Sequence, residues 1–376
     1  MVFRLRAIRT LCATALLLPV ILGCQHEPTE HFVTLGPEGG DISGFAFYPD
    51  GKRIVTTHQR GWARVWDCES GLLFKTLHDK PLPNGAPYNP TVDRDIVVSV
   101  SPDGEKIAIS NQNTATVWDA VTFLPKASLI GHSATIRSLD FSPDGKRILT
   151  TSMDFTAHMR DDLTARMWDS SSGRQLFSLR AVYARFSPDG ERIVTSDAQS
   201  KAVQVWDANS GKLLLTLPGF GRDVLLEPSF SPDGGKLMTA STDGRVRLWD
   251  SATGKLKYAT RQIADRFFSS KFSSDGRLIF VDHALPQGWS ILNSATGSPI
   301  RTGTARCSDV SADLRFVLSA EQYSGVVLVD TRTDGTLYKS EKKDVESAEF
   351  SPDGKHYALK YVGGVIELHD IPKLSQ

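Results

Sequence analysis

Cysteine is scarce in this chain of 376 residues: there are four, and two of them, Cys12 and Cys24, lie in an apolar N-terminal stretch. Only Cys68 and Cys307 remain beyond it, which excludes a disulfide framework. Charge of one sign is missing as well. Basic and acidic residues number 43 each, and removing Arg4, Arg6 and Arg9 of the leader leaves 40 against 43, a balance that offers nothing to a nucleic acid. The nine histidines include no pair at metal-binding helical spacing and no companion cysteine cluster, so neither a metal nor a cofactor is expected. No Gly-x-Ser-x-Gly elbow and no phosphate loop occurs. Long apolar runs are also absent: the one candidate, Leu11 to Leu22, is too short and wrongly flanked for a stable membrane span.

What the chain has instead is a beat. Tyr48-Pro49-Asp50-Gly51, Ser101-Pro102-Asp103-Gly104, Ser142-Pro143-Asp144-Gly145, Ser187-Pro188-Asp189-Gly190 and Ser231-Pro232-Asp233-Gly234 are followed by Ser273-Ser274-Asp275-Gly276, the worn Ser311-Ala312-Asp313-Leu314, and Ser351-Pro352-Asp353-Gly354. Their spacings of 53, 41, 45, 44, 42, 38 and 40 residues are those of propeller blades. Pro presets φ and Gly accepts positive φ, so each motif is a tight turn between two strands. A third run in each copy alternates strictly, with apolar residues one and three places before a Trp slot, as at Ala63 and Val65 or Val246 and Leu248. Period two marks a strand with a buried face. The slots read Trp66-Asp67, Trp118-Asp119, Trp168-Asp169, Trp206-Asp207 and Trp249-Asp250, then Leu292-Asn293, Val329-Asp330 and His369-Asp370.

At these residues the chain resembles the WD40-repeat family from about Phe32 to Ile371, which implies an all-β fold: a closed propeller of eight four-stranded blades. The eighth copy lacks a fourth strand, and an orphan run, Phe32-Val33-Thr34-Leu35, precedes the first. The N-terminal strand is therefore expected to complete the last blade, against the strand containing Ile366 and Leu368, leaving no open edge. Seven blades would leave a surplus repeat. Cys68 and Cys307 then fall in blades one and seven, which are not neighbours, and Cys307 is expected to pack as a small apolar residue.

The resemblance also implies a structural hydrogen-bond network. In blade three it would join His132, a Ser or Thr, Asp162 and Trp168; blade five keeps Asp243 and Trp249 but has Arg222 near the His place. This network stabilises and is no catalytic triad. One enzymatic alternative arises from Asp250-Ser251-Ala252-Thr253-Gly254-Lys255, which is similar to a blade motif of quinoprotein dehydrogenases. The docking Trp of those enzymes is missing, and Tyr258 stands close to its place. A propeller lipoprotein that assists outer-membrane protein assembly offers a second, purely functional analogy.

Residues 1–23 read as a signal peptide, with a basic start and no acidic residue. Its end, Ile21-Leu22-Gly23-Cys24, resembles a bacterial lipobox, which implies lipid on Cys24, a tether over 24–31, a propeller over 32–371 and a tail over 372–376. Such a protein would be exported and membrane-held, at the periplasmic face of the outer membrane if Gln25 follows the common sorting rule. Two connections are oversized: 78–95, behind the 53-residue spacing, and 153–161, since Pro143 to Trp168 spans 25 residues where other copies need 16 to 18. In the WD40 arrangement both rise on one face. They bring Asp79, Lys80, Tyr88, Asp93 and Arg94 beside Phe155, His158, Met159 and Arg160, with Arg137 on the same rim, a mixture suited to a protein partner. The expectation is a monomeric, non-catalytic scaffold.

Overall fold

The computed structural model describes residues 32–35, 42–58, 62–78, 96–152, 163–197, 202–217, 228–284, 288–303, 307–321, 325–333, 335–340, 342 and 344–372. They form eight antiparallel four-stranded sheets arranged as the blades of a ring. Blade one spans Ile42–His78, blade two Val98–Ile130, blade three Ile136–Arg180 and blade four Tyr183–Thr216. Blade five spans Ser229–Ala259, blade six Arg266–Gly303 and blade seven Asp309–Ser340. Blade eight takes three strands from Val345–Asp370 and its outermost from Phe32–Leu35. In that last pairing Phe32 faces His369 and Leu35 faces Ile366, so the expected closure by the N-terminal strand is what the fold adopts.

Alternation explains where the core sits. Apolar residues on the two faces of each blade pack against the neighbouring blades, and the eight apolar clusters correspond one to one with the eight interfaces between blades. The cluster of Leu35, Ile366 and Leu368 with Ile42, Phe45 and Trp66 bridges blades eight and one, just as Met167 and Leu179 with Ala184 and Ile193 bridge three and four. No interface is left open between the ends of the chain.

The repeated turn is held by its Ser and Asp together. In blade three Ser142 Oγ donates to Asp144 Oδ1 at 2.6 Å, accepts from Arg147 N at 2.9 Å, and Gly145 N donates to Ser142 O at 2.8 Å. The last step requires φ of 66° at Gly145, a region glycine enters without steric cost. Blade seven has no such glycine, yet Leu314 adopts φ 57° and closes the same turn because its side chain is buried in the interface between blades six and seven. From these turns arginines lace adjacent blades: Arg147 donates to Gly190 O at 2.8 Å and Ala208 O at 2.9 Å.

Candidate interaction surface and the central channel

Strand order fixes the two rims of the ring. With the four strands of each blade lettered a to d from the channel outward, a to b and c to d connect on one rim through the Pro-Asp-Gly and Asp-initiated turns, while b to c, and d to the next blade's a, connect on the other. Both oversized connections belong to this second rim. One leaves blade one after His78 and the other leaves blade three after Ser152. Arg137, second residue of strand a in blade three (Ile136–Phe141), is exposed close to the same rim. Asp79, Lys80, Tyr88, Asp93, Arg94, Phe155, His158, Met159 and Arg160 lie outside the described residues, as does Asp162.

The expected network of blade three is organised by Thr150. Its Oγ1 accepts from Trp168 Nε1 at 2.8 Å and lies 2.7 Å from His132 Nε2, while Thr164 Oγ1 lies 3.4 Å from His132 Nδ1. All but Thr164 are buried. The Trp–Thr half of this arrangement recurs at Trp66–Thr56 (2.9 Å), Trp206–Thr195 (2.8 Å) and Trp249–Thr239 (3.0 Å). Blade two breaks it: Ile109 occupies the Thr place, and among the described residues the buried Trp118 Nε1 has no hydrogen-bond partner. In blade five Asp243 bonds Ser241 and Arg247, with Arg247 Nη1 at 3.2 Å, so its carboxylate serves the b-to-c turn.

Asp of the Trp-Asp slots is likewise a turn-former. Asp169 Oδ1 accepts from Ser172 Oγ at 2.7 Å and Ser172 N at 2.8 Å, and these bonds hold its carboxyl below the usual range. Asp250 does the same with Thr253 (2.8 and 3.0 Å), and Tyr258 packs with its hydroxyl donating to Ser294 O at 3.0 Å. The stretch that is similar to a quinoprotein motif is thus a polar turn. Among the described residues no group of three His, Cys, Asp or Glu is placed to hold a metal.

A feature not anticipated from the sequence lines the central channel. Two places before each turn Ser, strand a carries Ala46, Ser99, Asp140, Arg185, Ser229, Lys271, Asp309 and Glu349 in successive blades. Four of the five charged ones pair around the ring. Arg185 Nη1 lies 2.5 Å from Asp140 Oδ2; Lys271 Nζ lies 3.5 Å from Asp309 Oδ1 and donates to Val310 O at 3.0 Å; Phe350 N donates to Asp309 Oδ2 at 2.9 Å. Glu349 has its side chain open to the channel but is walled in by protein. Loss of bulk hydration, then Asp309, push its carboxyl up to about 7 against the pull of Lys271. Arg185, Lys271 and Asp309 border a cavity of about 760 Å³ with Phe186, Phe230 and Phe272. Cys307 borders it too and is half buried, packed against the apolar cluster between blades six and seven, with Sγ 3.2 Å from Asp309 O. Cys68 and Cys307 are both free thiols.

Blade eight solves its missing Trp differently. The ring of His369 stacks on Tyr357 with centroids 5.0 Å apart and 7° between planes. Glu367 beside it is buried, which alone would raise its pKa, but bonds from His369 (3.2 Å), Lys342 and Tyr361 (2.8 Å) outweigh burial and hold it at about 2.

The family model described as "WD domain, G-beta repeat" matches residues 28–67, 123–169 and 211–250. The ring geometry defines an eight-bladed β-propeller, and three stretches of it match the WD40 repeat. The solved C-terminal WD40 domain of Sif2 shares the fold with a TM-score of 0.74 and 15% identity, over 91% of this chain and 97% of that one. Among curated proteins, transducin beta-like protein 3 of Bos taurus is 26% identical over 300 residues, covering 74% of this chain and 34% of its own length. Autophagy-related protein 16 of Arabidopsis thaliana is 24% identical over 270 residues, covering 67% and 49%. The chain thus spans a third to a half of these relatives.

Proposed function

We propose that this protein is a non-catalytic interaction scaffold, held at a bacterial cell-envelope membrane by lipid on Cys24 and capturing a protein partner on the rim that bears 78–95 and 153–161. One observation carries the choice of rim. The strands flanking both long connections end on the same side of blades one to three, beside the exposed Arg137. A closed ring holds such loops on a rigid base, which is how loops come to carry binding. The scaffold reading is supported, among the described residues, by the commitment of the motif carboxylates to turns and of His132 to the Thr150 bond.

Crosslinking capture from membranes tests it. Replacing Tyr88, Phe155 and Arg160 by Ala is expected to abolish capture with the melting temperature nearly unchanged. Capture that survives this change but fails on substitution among the Pro-Asp-Gly turns moves the site to the other rim. A quinone or haem absorbance in the purified protein would replace the scaffold with an enzyme.

A further inference from the structure

The turn that opens strand d carries a small or polar residue after its glycine in most blades: Arg174, Lys212, Lys255 and Ser298 in blades three to six. Blades one and two have Leu72 and Leu124 there, 70% and 65% exposed, and Phe74 and Val121 beside them are 60% and 76% exposed. They lie on the c-to-d turns and following strands of adjacent blades. The Phe74 and Phe123 rings meet across the blade boundary with centroids 5.7 Å apart. Phe123 itself stands where blades one and three to six have glycine, and it takes the glycine conformation, φ 58°. A bulky residue at positive φ is a steric outlier. Glycine would fit the turn without strain; the ring instead packs, half-buried, on the apolar cluster between blades one and two and carries that apolar surface out to Phe74. Contiguous exposed apolar groups of this kind mark contact sites rather than ordinary surface.

The start of the described chain lies at the same corner. Phe32 pairs with His369 in the Trp-Asp place of blade eight, at the level of the c-to-d turns. Val33 packs so closely on the blade-one turn that a Cβ on Gly71 would come within 2.1 Å of its Cγ1. Only eight residues separate Phe32 from Cys24 inclusive, a contour that cannot exceed ~29 Å. We infer that the outer corner of blades one and two, Leu72, Phe74, Val121, Phe123 and Leu124, is a membrane-docking surface that inserts into the lipid interface beside the anchor. This rests on the lipid-anchor reading above and adds an orientation to it. The exposed Lys75 and Lys126 on the two adjoining strands stand where their stems can lie along the apolar surface and their ammonium groups meet headgroups. Glu69 shares the blade-one turn, so apolar insertion and not charge dominates the contact. With this corner on the bilayer, the opposite rim stays open to a partner.

Hydrogen exchange on the mature chain, residues 24–376, tests the surface whether or not the cell lipidates Cys24. The protein is tethered through the Cys24 thiol to phosphatidylcholine–phosphatidylglycerol vesicles containing a maleimide lipid. Burial pushes the thiol of Cys68 up to about 12 and that of Cys307 up as well, which keeps the reaction at Cys24. Amides of 69–77 and 120–130 are expected to exchange on the order of tenfold more slowly on vesicles, while 209–216 and 295–301 are unchanged. The protection should vanish in the triple variant Leu72→Lys, Val121→Lys, Leu124→Lys, and in Leu72→Ser with Val121→Ser should the lysines impair folding. Exchange indifferent to vesicles, protection that persists in both variants, or protection that appears without vesicles as protein concentration rises, which means a second copy covers the corner, would each overturn the inference. Separately, a mature N-terminus without lipid in mass spectra of the cell-derived protein refutes the natural anchor and leaves the exchange result to judge the surface.

Discussion

Replacing Thr150 by Val keeps the shape of a fully buried side chain and removes one oxygen. That oxygen serves two buried groups: Trp168 Nε1 donates to it at 2.8 Å and His132 Nε2 lies 2.7 Å away, with exposures of 1% and 4%. Stranding a buried polar group costs about 1–3 kcal/mol, so two of them cost about 2–5 kcal/mol, less a small gain from the added methyl. Thr195 of blade four serves Trp206 at 2.8 Å, and its replacement by Val is expected to cost about half as much. The assay is equilibrium unfolding in urea with both variants and with Trp168→Phe. At the scale of large domains, the Thr150 loss corresponds to a fall in Tm of roughly 5–10 °C. Because the two side chains share one bond, Thr150→Val and Trp168→Phe should not add. A Thr150→Val loss below about 0.5 kcal/mol, or full additivity with Trp168→Phe, would refute the role given to this oxygen.

Blade two offers the reverse change. Ile109→Thr supplies a partner for Trp118 Nε1 but removes two buried carbons, so a net effect within about 1 kcal/mol of neutral is expected, against a loss of roughly 2 kcal/mol or more if the new hydroxyl left the indole unbonded. Glu349, whose pKa rises from 4.5 unfolded to about 7 in the ring, holds a proton in the native state that the unfolded chain has released. Its contribution to stability therefore falls as pH rises from about 4.5 to about 7, and Glu349→Gln should remove that downward slope from a plot of urea midpoint against pH. Glu367, held at about 2, acts in the opposite sense: its contribution is complete above 4.5 and lost as pH falls toward 2, so Glu367→Gln should flatten the acid limb.

Most of the architecture was legible because it is repeated. The Ser-Pro-Asp-Gly turns, the apolar pair before each Trp and the orphan run 32–35 each follow from a local rule that eight copies obey, and the sheet order agrees with it. The channel charges were not legible for the opposite reason. Asp140, Arg185, Lys271, Asp309 and Glu349 share a place in the repeat but differ in sign, and each pairing joins residues some 40 apart. The place two before the turn changes from blade to blade while the one after it is always Phe or Val, but the sequence alone does not say that this place faces the channel. Cys307 packs against the apolar cluster between blades six and seven, as its place in the repeat suggested, but that it also borders the cavity was not legible. His369 looks like decay of a Trp; only the geometry shows the Tyr357 stack and the Glu367 bonds that replace the indole. Of the residues expected to bind the partner, Arg137 alone is among the described residues.

Ring closure by residues 32–35 is tested most directly by deleting them and measuring urea unfolding. Leu35 is fully buried against Ile366, Leu368 and Ile42, and the deletion exposes the strand Ile366–Asp370 as an open edge. Loss of about 3–5 kcal/mol, with dimers or aggregates forming through the bared edge, is the expected result. A protein that remains monomeric with an unchanged midpoint would contradict closure by this strand.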